Sequence, residues 1–118
     1  MSKRKQQIKE STAAYAVPGM LPGIEASARR MFPNRNLDRV MVDLLLERAQ
    51  KNLIKYQTMA RDFEQKYGKD FESFRQAVAR TEAIFEVEQD YFDWEMAVTG
   101  AADMAEEIDQ LKTLSQAA

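Results

Sequence analysis

Between positions 82 and 111 the chain carries ten carboxylates and not one lysine or arginine. Carboxylates can move protons, hold hard cations or attract a basic surface. Acid–base catalysis needs two of them held as a pair, and Glu82, Glu86, Asp90, Asp93 and Glu107 make no recognisable pair. A di-iron bundle wants Glu-x-x-His twice, and the chain has no histidine. That absence also removes the commonest general base, metal ligand and pH switch. There is no cysteine, so no disulfide framework and no thiolate metal site. Serines and lysines show no nucleophile motif. An all-carboxylate Mg²⁺ site is weaker than the plain reading of solvated helix faces. No catalytic residue, no metal site and no cofactor is expected, which leaves charge as a means of binding.

Inside the acidic stretch stands DYFDWE, residues 90–95, with three aromatics and the only tryptophan. Helical periodicity sorts the aromatics. Tyr91 and Trp94 fall on an apolar seam with Val98, Ala101, Ala105 and Ile108, spaced by threes and fours, and read as core. Phe92 points the other way and shares a face with Met96, one turn on. Glu88, Glu95, Thr99 and Asp103 surround the pair. An aromatic anchor with a polar, acidic rim is the composition of a protein-binding hot spot. The partner-binding candidates are therefore Glu88, Phe92, Glu95, Met96 and Asp103. The competing reading folds the helix over 69–80 back onto Phe92 and buries it.

These residues need helices to hold them. Few glycines and prolines, with abundant Ala, Glu, Lys, Leu, Gln and Met, favour an all-α fold. VPGMLPG (17–23) is a turn or linker. It closes a basic, loosely ordered arm over 1–23 and precedes one helical domain over 24–118. A short helix is predicted from Ile24 to Phe32, stopped by Pro33. A long one runs from Leu37 to Tyr67, with Asn36 as N-cap and Gly68 as stop. Its seam is Val42, Leu46, Ala49, Leu53, Tyr56, Ala60, Phe63 and Tyr67. A second stripe, Leu37, Val40 and Leu44, lies roughly opposite and is a candidate homodimer face. KDFESFRQAVAR (69–80) is a short helix capped by Asp70. Residues 81–89 are ambiguous, because IFEVE alternates like a strand. The last helix is predicted from Asp90 to Leu114, with Gly100 inside it costing about 1 kcal/mol relative to alanine. The two seams argue for an antiparallel hairpin of two long helices with short flanking helices.

The front of the chain is basic: residues 1–51 hold ten Lys/Arg against five Asp/Glu. MSKRK and Arg29, Arg30, Arg35 and Arg39, around the PNRN loop, are candidate contacts for DNA phosphates. No run of 18 apolar residues exists, so no membrane span is expected. The opening MSKRKQQIKE lacks the apolar stretch of a signal peptide, so a cytoplasmic location is expected.

FEQKYGKDFESF (63–74) followed by EVEQDYFDWE (86–95) resembles a group of small helical prokaryotic proteins. In these, a helix ends in KYG-x-x-F-x-x-F and a D-Y/W-x-x-WE motif opens a second helix. Lys66, Tyr67, Gly68, Phe71, Phe74, Trp94 and Glu95 match, and the resemblance spans about Leu45 to Leu111. The first 35 residues are longer and more basic than that pattern. These proteins are usually encoded beside a small toxin gene. The resemblance implies the antitoxin half of a toxin–antitoxin pair, which binds a small basic toxin and often represses its own operon. It supplies no catalytic residue. The alternative is a homo-oligomeric helical adaptor without a toxin partner. An adaptor should be a stable oligomer alone, whereas an antitoxin should gain stability chiefly from its partner by mass action.

Overall fold

Asn36 opens the long helix as its sequence predicts: its Oδ1 accepts the backbone N–H of Arg39 at 2.7 Å. The computed structural model describes residues 21–118; the MSKRK reading, and the proposed arm as far as residue 20, lie outside these. Among these residues four helices follow in order: α1 (Ile24–Met31), α2 (Leu37–Tyr67), α3 (Phe71–Ala79) and α4 (Phe85–Ala117). No strand occurs among the described residues. The described residues pack as two units, divided after Val40, the second being Met41–Ala118. The division falls within α2.

Local chemistry sets the helix ends. Gly68 takes φ 66°, the left-handed region that terminates α2 without a Cβ penalty. Its N–H donates to the Glu64 carbonyl at 2.8 Å. Asp70 caps α3 by accepting the Ser73 N–H at 2.8 Å, and that bond holds its carboxyl below the usual range. The ambiguous stretch, with its strand-like alternation, enters α4 at Phe85. With no neighbouring strand among the described residues to complete a ladder, residues 85–88 satisfy their backbone by winding into the helix. Ile84 stands extended before it, and Glu86 and Glu88 suit the positive end of the helix dipole.

In the second unit, α2 and α4 form an antiparallel hairpin. Ala49 and Leu53 pack with Ile108 and Leu111 at the open end. Tyr56 lies against Gly100, Phe63 stacks on Trp94, and Tyr67 reaches Asp90. Positions that rise along α2 meet positions that fall along α4. The α2 seam from Val42 to Tyr67 is buried or half-buried at every predicted position.

The α4 seam differs from the predicted one. Trp94, Ala101 and Ile108 face inward as expected, but Val98 and Ala105 are exposed. Their places are taken by Ala97, Met104 and Leu111. Two heptad seams share Trp94, Ala101 and Ile108, and the helix is rotated to the one that buries Met104 and Leu111. That choice places more apolar volume against Leu46 and Leu53.

Trp94 is the packing centre, at 0% exposure. Phe63 stacks on it at 5.7 Å, Tyr67 at 6.2 Å, and α3 adds Phe74 at 5.0 Å and Phe71 edge-on at 5.4 Å. Ring pairs at these separations add to the area term. Tyr91 is half-buried, with Phe71 stacked on it at 5.7 Å. α3 therefore covers Tyr91 and Trp94, not Phe92.

Candidate protein-interaction face

Phe92 and Met96 project from α4 away from Trp94, 59% and 52% exposed. They line an open depression of about 390 Å³ together with Glu95, Thr99, Gly100, Asp103 and Tyr56. Four of the five partner-binding candidates thus converge on one concavity. Glu88, the fifth, is exposed one turn before Phe92 but does not line it.

Tyr56 is the residue the periodicity hid. It sits on the α2 seam, yet its ring forms a wall of the depression. The reason is Gly100: a Cβ there would stand 2.8 Å from the Tyr56 ring. The sequence signal was the glycine itself, since a glycine in a helix interior marks close approach.

The acids divide into two kinds. Asp90 is structural. Lys66 Nζ donates to its Oδ2 at 2.6 Å and the Tyr67 hydroxyl donates to the same oxygen at 2.5 Å. These hydrogen bonds, Lys66 first, hold the Asp90 carboxyl below its ordinary value. The same contacts, with Glu86 at 3.2 Å, raise the Lys66 ammonium. Burial, then the bond to Asp90, pushes the Tyr67 hydroxyl up. The remaining acids are mostly solvated. Glu95 meets the Tyr91 hydroxyl at 3.5 Å, and Asp93 accepts from Gln89 at 3.2 Å. Asp103, Glu106 and Glu107 are exposed. Among the described residues, no group of three or more His, Asp or Glu converges as metal ligands.

The candidate DNA contacts all lie in the first unit. Arg29 pairs with Glu25 one turn back, and Arg30 donates to the Ser27 hydroxyl at 2.9 Å. Arg29 and Arg35 line a concavity of about 320 Å³ with Glu25 and Asn36; Arg30 and Arg39 do not line it. The Glu25 carboxylate offsets the charge of Arg29.

The proposed self-association stripe is broken up. Val40 is buried, Leu37 is half-buried, and only Leu44 is exposed. Three residues so unequally covered do not make one open face.

No protein-family model, curated protein or solved structure matches this chain. None of the helices is long and apolar enough to cross a membrane among the described residues. The face on α4 therefore stands on its own geometry.

Proposed function

We propose that this chain is a non-enzymatic protein-binding module whose α4 face takes a small basic protein. The observation that carries the reading is the exposed Phe92–Met96 pair, set in a depression whose charged lining among the described residues is Glu95 and Asp103. An exposed apolar patch with a polar rim is the composition of an interaction site. Ten acids without a cation over 82–111 attract a basic partner, raise its encounter rate and reject acidic ones. The apolar pair then slows release. Together with the KYG and WE motifs, this favours an antitoxin that masks the basic surface of a cognate toxin.

The test is capture of the full chain at native level from its host, with mass spectrometry, at low and high salt. Near-stoichiometric recovery of one small basic protein, released by salt, is expected. Its toxicity when produced alone, relieved by this chain, would complete the case. Recovery of no basic protein at low salt overturns the reading and favours the adaptor.

A further inference from the structure

α3 occupies one side of the hairpin, where Phe71 stacks on Tyr91. The other side is marked by Lys66, which crosses from α2 to Glu86 and Asp90 of α4. Heptad steps keep a residue on the same side of a seam. Steps back from Lys66 arrive at Leu45, and steps forward from Glu86 arrive at Gly100, Glu107 and Leu114. The positions just outside these are Met41, Arg48 and Lys55 on α2, and Met96 and Asp103 on α4.

The order along the hairpin is informative. Tyr56 is level with Gly100, so each α2 position has a known counterpart on α4. From the open end, α2 presents two apolar side chains and then two bases: Met41, Leu45, Arg48, Lys55. At the same levels α4 presents an apolar side chain and then two acids: Leu114, Glu107, Asp103. Leu114, Leu45, Met41 and Met96 are all exposed. Among the described residues, Arg48, Lys55, Asp103 and Glu107 make no ion pair within the chain.

We propose that this side of the hairpin is a self-association face for a second copy of the chain. A two-fold axis parallel to the helices lays α2 of each copy on α4 of the other. The basic column of each meets the acidic column of its mate. Arg48 then faces Glu107, Lys55 faces Asp103, and Met41 and Leu45 close on Leu114. The interface is isologous, as closed dimers require. Towards Lys66 the match ends, because Asp62 and Asp93 bring like charges to one level. The contact is thereby confined to the open half of the hairpin. Met96 and Asp103 also line the depression assigned to the basic partner, so the two occupancies exclude each other, and a dimer of the free chain that this partner displaces fits the proposed function, whereas one that persists beside the partner fits the adaptor.

The self-association is read on the full chain alone, by sedimentation equilibrium, so its failure is distinct from failure of partner capture. The wild type is expected at the mass of two chains. Arg48→Glu with Lys55→Glu should halve that mass, as should Asp103→Lys with Glu107→Lys. An equimolar mixture of the two charge-reversed proteins should return to two chains. Leu45→Gln with Leu114→Gln, which leaves every charge in place, should also sediment as one chain, and helical circular dichroism checks that each variant is folded. A wild type at the mass of one chain overturns the proposal. So do folded charge-reversed variants that stay paired, or a mixture that stays unpaired.

Discussion

The carbon that Gly100 lacks would lie 2.8 Å from the ring of Tyr56. The helix cost of the glycine is therefore offset by contact between the two long helices. Gly100→Ala gains about 1 kcal/mol of helix propensity but drives a methyl into a rigid ring, and overpacking of this kind costs about 1–3 kcal/mol. We expect net destabilisation in the wild-type background. In a Tyr56→Ala background the same change should stabilise, because the clash is gone. Urea midpoints of the four proteins check the reversal of sign; stabilisation in both backgrounds would show that Tyr56 does not occupy this gap.

Trp94 anchors the closed end of the hairpin through four ring partners. Trp94→Ala should cost about 3–5 kcal/mol. Thermal and urea unfolding measure this directly. A near-neutral result would place the indole outside the core.

Phe92→Ala should leave the isolated fold almost unchanged, since the ring is 59% exposed. The same variant should weaken the complex with a basic partner by about 2 kcal/mol or more, if the ring is its anchor. Calorimetric titration against the captured partner, beside urea unfolding of the free chain, separates the two effects. A large loss of fold stability with unchanged affinity would reverse the assignment.

Asp90→Asn should cost about 1.5 kcal/mol at neutral pH, because it weakens two hydrogen bonds to a mostly covered carboxylate. The folded Asp90 carboxyl titrates below its unfolded value of about 3.9. Its contribution is thus complete well above that pH and is lost as pH falls through the folded value. The gap between wild type and Asp90→Asn should therefore be constant above about pH 5 and narrow in acid. Lys66 is raised, so its share persists below the unfolded lysine value and fades only as pH rises through the folded one. Urea midpoints across this range test the sign. A gap that is equally wide in acid would show that Asp90 is not the group responsible.

The helices themselves were legible locally. Asn36, Gly68 and Asp70 act through their own and adjacent backbone groups, so α2 and α3 begin and end close to where the residues say. Phe92 was legible for a related reason: it lies opposite both seams available to α4, so either choice leaves it outside. The competing expectation that α3 would cover it needed the third dimension, and the structure turns α3 towards Trp94 and Tyr91 instead. Between the two seams the sequence was silent, because Trp94, Ala101 and Ile108 belong to both. Only α2 decides. Its Tyr56 needs the gap at Gly100, and Leu46 and Leu53 need Met104 and Leu111 for contact. A rotation of α4 about its own axis leaves its backbone hydrogen bonds unchanged, so only packing against another helix can fix it. Asp90, Tyr56 and the depression beside Phe92 follow from that rotation.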